Sequence, residues 1–154
     1  MNCPWRRVLW LVDVASPLEN AAACVRWLRS LGGVELHVLY VAPPFLAECV
    51  AGLIPEETWR QDEAATSDAE VHTQLEDFAR AQNLGHDVTL ALRRGRPAQE
   101  TLRYAEEVAA DLIVMSRPSV RRRPLFEFTG ISMRLATRAP CSVLVIPVSQ
   151  LAET

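Results

Sequence analysis

A doubly wound α/β protein built on a parallel sheet is the fold this sequence predicts, and three observations carry it. Short apolar runs alternate strictly with helical patterns, in the order β-α-β-α-β-α-β-α-β. The runs Val8 to Val14, Val34 to Val41, Leu112 to Met115 and Ser142 to Val148 lack the in-out alternation of a half-exposed strand, as expected of strands covered on both faces. At 154 residues, 49% hydrophobic and 23% charged, the chain has the size and composition of one core, so residues 1–154 read as a single domain.

Taken in order, the first run leads to Ser16-Pro17-Leu18-Glu19, a capping box with proline at the first helical position. The helix it opens carries the stripe Ala21, Cys24, Val25, Leu28 and Leu31 and stops at Gly32-Gly33. After Val41 come Pro43-Pro44, an apolar stretch FLAECVAGLIP, and an acidic segment in which Val71, Leu75, Phe78 and Ala79 form a helical seam ending at Asn83-Leu84-Gly85. The next run, His86 to Leu92, alternates more than the others and suits a position nearer an edge. A third helix is predicted from Pro97 to Ala110 on Ala98, Leu102, Ala105 and Ala109. An Arg-rich loop, Arg117 to Glu127, then separates the fourth strand from a last helix over Thr129 to Ala139 and the final strand. In such folds ligands bind outside the carboxyl ends of the strands at the switch point. Those ends are Asp13, Val41, Arg93 to Gly95, and Ser116.

Composition removes whole chemistries. All 16 basic residues are Arg, so a P-loop NTPase, a protein kinase and a pyridoxal enzyme, each of which needs a lysine, are excluded. The net charge of −3 gives no global pull toward nucleic acid. Charge is unevenly spread: eight acids face Arg60 alone in residues 56–77, and eleven Arg oppose seven acids from residue 78 onward. Cys3, Cys24, Cys49 and Cys141 are widely spaced, with no C-x-x-C pair and no zinc pattern, and read as buried thiols in a reducing compartment. Asp13 interrupts the apolar N-terminal run, so neither a signal peptide nor a spanning helix fits, and a cytoplasmic protein off the membrane is expected. Neither H-E-x-x-H nor G-x-S-x-G occurs, and no residue nominates itself as catalytic or as a metal ligand, so an enzyme is not expected. His37, inside an apolar run, reads as a core histidine.

With the loops placed, VLWLVDVAS, LHVLYVAP, RRGRPAQETLRYAEEVAADLIVMS and RAPCSVLVIP resemble the universal stress protein family over nearly the whole chain. The sharpest matches are Gly95, Pro97 and Ala98 at the start of the third helix, the A-D-L-I-V-M strand and the A-P-C-x-V-L-V finish. The resemblance implies a five-stranded sheet of order 3-2-1-4-5, a Rossmann-like three-layer sandwich of the adenine nucleotide alpha hydrolase type, commonly dimeric, in a protein of stress adaptation. Some members bind ATP through Gly, two residues, Gly, nine residues, Gly, then Ser or Thr. Those positions fall here on Ser116, Ser119, Thr129 and Gly130, so all three glycines are replaced. Glycine matters there because backbone N–H groups must approach phosphate closely, and a Cβ obstructs both the conformation and the approach. By the same resemblance Asp13 and Val41 match positions that hold adenosine, and Gly95 one beside the ribose. The residues by themselves equally allow Asp13 as a turn cap, Val41 as core and Gly95 as a turn glycine.

Two expectations about partners follow. Arg117, with Arg121, Arg122 and Arg123, is either an anion site replacing the glycine cradle, helped by a helix N-terminus at Thr129, or a solvated basic loop. No cofactor is expected unless that loop restores binding of ATP. The last strand is an edge in the implied order, yet Val143, Leu144, Val145 and Ile146 carry no charge, so a homodimer paired through this strand is expected. Cover by residues 149–154 or 45–54 is the competing reading.

Overall fold

The computed structural model describes residues 3–12, 19–42, 68–85, 87–117 and 125–147. Five strands, β1 (Arg7–Leu11), β2 (Glu35–Ala42), β3 (Val88–Arg94), β4 (Leu112–Arg117) and β5 (Ser142–Pro147), alternate with helices α1 (Glu19–Ser30), α2 (Asp68–Ala81), α3 (Pro97–Val108) and α4 (Leu125–Arg138). All neighbouring strands run parallel in the order β3-β2-β1-β4-β5.

In β1, β2 and β4 the missing alternation has its cause in burial on both faces, whereas β5, at the edge of the sheet, contains no fully buried residue. Val8, Trp10, Val12, Leu36, Val38, Leu112 and Val114 pack against Ala21, Ala22, Val25 and Leu28 of α1 and Leu75 and Ala79 of α2. The alternate residues Leu9, Leu39, Val41, Ile113 and Met115 pack the opposite face with Tyr104 and Ala105 of α3 and Leu135 of α4. The chain changes face between β3 and β4, so the direction of winding reverses between β1 and β4.

Helix ends follow local chemistry. α2 closes with Asn83 in the left-handed region (φ 54°), its N–H donating to Arg80 O and the N–H of Leu84 to Ala79 O. α3 repeats the motif with Ala109 (φ 54°), whose N–H donates to Glu106 O while the N–H of Ala110 donates to Ala105 O. The helix therefore ends at Val108 and not at Ala110. β3 lies two residues further along than the run His86 to Leu92, because Arg93 and Arg94 continue the strand; His86 is outside the described residues. The capping box at residues 16–18 also lies outside them. α4 begins at Leu125, four residues before the expected Thr129, since the apolar Leu125 and Phe126 directly after Pro124 extend the helical pattern upstream. Thr129 thus sits in the second turn and offers no helix N-terminus.

At the amino ends of the strands a single carboxylate fastens distant segments. Asp111 accepts from the backbone N–H of Arg6 at 2.8 Å and of Arg7 at 3.0 Å, and its own N–H donates to Arg7 O. Hydrogen bonds to an ionised acceptor are worth about 1.5–3 kcal/mol each in favourable settings and less where water competes, as here. Asp111→Ala should therefore lower unfolding free energy by roughly 1.5–3 kcal/mol in urea titration, whereas a change under ~0.5 kcal/mol would show the clasp to be ornamental.

Candidate functional site at the carboxyl edge

The register between strands shapes the carboxyl edge. Leu11, the last residue of β1, is level with Leu39 of β2 and Met115 of β4, yet β2 continues to Ala42 and β4 to Arg117. The hydrogen-bonded ladder is therefore shorter at the centre than on either side, although Val12 still donates its N–H to Leu39 O; residues 13–18, which follow, lie outside the described residues. The ends of β2 and β4, Val41-Ala42 and Ser116-Arg117, flank this notch in the ladder. It lies at the reversal of winding, where a doubly wound sheet opens for a ligand.

Of the expected site residues, the structure brings Val41, Gly95 and Ser116 to this edge. Val41 is buried, Ser116 half-buried, and the N–H of Gly95 donates to Ala42 O at 3.0 Å, tying the β3 turn to the end of β2. Arg117 is the last residue of β4. Thr129 and Gly130 lie within α4. Asp13, Ser119, Arg121, Arg122 and Arg123 lie outside the described residues.

Gly95 holds φ +145°, a conformation other residues rarely adopt. A Cβ there would stand 2.9 Å from Glu100 Cγ and 3.1 Å from its Oε1. Glu100 folds back beneath the turn, buried, with Arg103 Nη1 donating to its Oε1 at 3.0 Å. Nothing in the sequence marked Glu100, because a Glu in the first turn of a helix normally points into water. The glycine before Pro97 is the one available signal, since its missing side chain is what leaves the carboxylate room.

Two charges at the carboxyl end of β3 are already engaged. Arg93 Nη2 donates to Glu107 Oε2 at 2.5 Å and its guanidinium lies 5.2 Å from the Tyr104 ring centroid, while Arg94 pairs with Asp68. Val41 and Ala42, at 8% and 4% exposure, present little surface among the described residues. No group of three His, Cys, Asp or Glu placed to hold a metal ion occurs among the described residues.

The most connected polar cluster lies at the other end of the sheet and is structural. His37, 7% exposed, has Nδ1 3.0 Å from Tyr104 Oη and Nε2 2.8 Å from Glu35 Oε1. Glu35 also accepts from Arg7 Nε at 3.3 Å. The hydrogen bond from His37, and then the Arg7 charge, hold the Glu35 carboxyl below its ordinary value, so it is an ionised acceptor and Nε2 carries the proton. Burial first, together with Glu107 and Glu35 and against the pull of Arg93, pushes the Tyr104 phenol up; it stays protonated and donates to Nδ1. The cluster ties α3 to β2, so His37 is the satisfied core histidine that its position implied. Two thiols are comparably quiet: burial raises Cys24, and burial with the nearby Asp111 charge raises Cys141, which takes both away from the low-pKa thiolate that reactive cysteines need.

A parallel sheet with helices on both faces and a winding reversal at its centre defines the doubly wound α/β class of protein. The family model of the universal stress protein family matches residues 4–147. The chain belongs to that family. Solved structures agree on the fold. Universal stress protein UspA from Lactobacillus plantarum is 19% identical, with a TM-score of 0.66 over 94% of this chain and 99% of that one. A universal stress protein family protein from Arabidopsis thaliana with AMP bound is 16% identical, with a TM-score of 0.64 over 96% and 95%. The universal stress protein from Archaeoglobus fulgidus in complex with dAMP is 16% identical, with a TM-score of 0.58 over 91% and 96%. No curated protein sequence matches the chain. No described helix is long and apolar enough to cross a membrane.

Proposed function

We propose that this chain is a regulatory protein of stress adaptation that acts through protein contacts, catalyses no reaction and does not hold ATP. The carrying observation is the β4 wall of the notch. It carries Ser116, one residue before the end of β4, where the family resemblance places the first phosphate-cradling glycine of ATP-binding members, and Thr129, at the third glycine position, lies in the second turn of α4. A cradle for three phosphates needs several N–H groups presented without Cβ atoms in front of them. Isothermal titration with magnesium-loaded ATP, ADP and AMP is the test, with no ATP heat expected; micromolar ATP affinity would overturn the reading.

A second reading rests on the notch itself and on what related structures contain. Two of the similar structures hold AMP and dAMP. Val41 and Gly95 are in place at the edge, so a nucleotide with its phosphate on Arg117 to Arg123 is the alternative. In the same titration, AMP binding that disappears in an Arg121→Gln/Arg122→Gln/Arg123→Gln variant would favour it, and binding unchanged in that variant would count against the loop.

The working form is proposed to be a homodimer paired through β5. Among the described residues this strand ends the sheet with β4 alone beside it, and Ser142–Pro147 contains no charge; residues 45–54 and 149–154, the competing cover, lie outside the described residues. The opposite edge, β3, ends in Arg93 and Arg94, which deters strand addition. Antiparallel pairing of two β5 edges about a two-fold axis closes on itself and leaves no further edge at that end.

A further inference from the structure

Exposed large hydrophobic side chains are not scattered over the described surface. They are Trp27 (59% exposed), Met133 (57%) and Leu144 (36%), on α1, α4 and β5. α1 and α4 are the helices that pack against β5, one on each face of the sheet. All three therefore gather at the β5 end, and none at the β3 end. On α1 the side chains of Arg26 and Arg29 reach Gln82 and Asp87, beyond α2, so they mark the flank facing α2. Trp27 follows Arg26 by one residue, about 100° round the helix, which carries it away from α2 and from the buried face.

A six-residue strand edge falls well short of what a stable dimer buries, about 800 Å² and some 20–30 residues on each side. Backbone pairing of β5 alone is too small an interface, so the flanking helices must contribute. A two-fold axis perpendicular to the sheet keeps each face on its own side, bringing α1 toward the partner's α1 on one face and α4 toward its partner's α4 on the other. We propose that Trp27 and Met133 are anchor residues of the homodimer, seated by a second copy of this chain, with Leu144, level with Val114 and so on the α1 face, at the strand edge beside Trp27's layer. This rests on the β5 reading above and extends it from the strand to both helical layers. Buried tryptophan is the side chain on which interface energy most often concentrates, and the uncharged β5 edge between the two helices suits the same edge of a second copy better than a charged partner.

Sedimentation equilibrium of the full chain over a micromolar concentration series tests it, with far-ultraviolet circular dichroism to confirm folding. Trp27→Glu should raise the dimer dissociation constant at least about tenfold, and Met133→Glu should raise it in the same direction. Both positions face solvent in the single chain, so these variants keep the fold. Leu144→Glu, also at an exposed position, tests the strand separately. If Leu144→Glu dissociates the dimer while Trp27→Glu and Met133→Glu leave it intact, the β5 pairing stands and the anchor assignment is overturned. If the helix variants dissociate it and Leu144→Glu does not, the anchors stand and strand pairing is overturned. A parent chain that stays monomeric throughout the series overturns both.

Discussion

Trp10→Ala is expected to remove about 3–5 kcal/mol of folding free energy, the usual cost of deleting a fully buried large aromatic. Trp10 is completely buried on β1, the central strand, where its ring meets Phe78 of α2 at 5.3 Å between centroids. It fills the space under α1 and α2 at once, so the cavity cannot close by moving a single helix. Against a total stability of ~5–15 kcal/mol, that loss leaves the domain marginal or unfolded at 37 °C. Among the described groups the indole Nε1 has no hydrogen-bond partner. Trp10→Phe sacrifices volume but no bond, and should cost less than half as much. Urea midpoints at unchanged m-value read both variants, and a Trp10→Ala loss under ~1 kcal/mol would show that the layer repacks.

The second large effect is expected at Gly95. Gly95→Ala places a Cβ against Glu100 and forces a non-glycine residue to hold φ +145°. Strain of this kind costs roughly 1–3 kcal/mol and overpacking a similar amount, so a loss of about 2–5 kcal/mol is expected. The two causes separate in a double-mutant cycle. Glu100→Ala on the Gly95→Ala background should recover the contact and leave the backbone strain, a non-additivity of about 1–3 kcal/mol. Strict additivity would mean that Glu100 swings clear at no cost. Gly95 also fastens β3 to Ala42 beside the notch, so the same variant should weaken whatever binds there.

The fold was legible because it is written in contiguous residues. Runs such as VLWLV and DLIVM state burial on both faces, and the seam Val71, Leu75, Ala79 states a helix, without reference to anything distant. Boundaries were legible only where local chemistry decides them. Arg93 and Arg94 look like a turn in sequence but remain in β3, because an edge strand lets each guanidinium find a carboxylate, on Glu107 and Asp68. Ala109 looks like one more small residue of a helical stripe, yet it takes the left-handed conformation that ends α3. The place where a site is expected followed from topology alone, whereas the relative reach of β1, β2 and β4 at that edge depends on the pairing register of three strands. Glu100 beneath Gly95, and Asp111 across from Arg6 and Arg7, depend on approaches between segments that no sequence window contains.

The Asp111 clasp has a consequence for how the chain is made. Its partner Arg6 lies 105 residues away, and β1, the middle of the sheet, cannot gain its second neighbour until β4 exists. At synthesis rates of about 5–20 residues per second, Leu11 waits roughly 5–20 s for Arg117 to be added. During that interval VLWLV can pair only with β2, and one long side of the most apolar strand stays open. Non-local pairing of this kind slows folding and prolongs exposure of sticky edges. The nascent chain therefore passes through a state whose chief hazard is intermolecular, and it is retired only when the second half of the sheet docks.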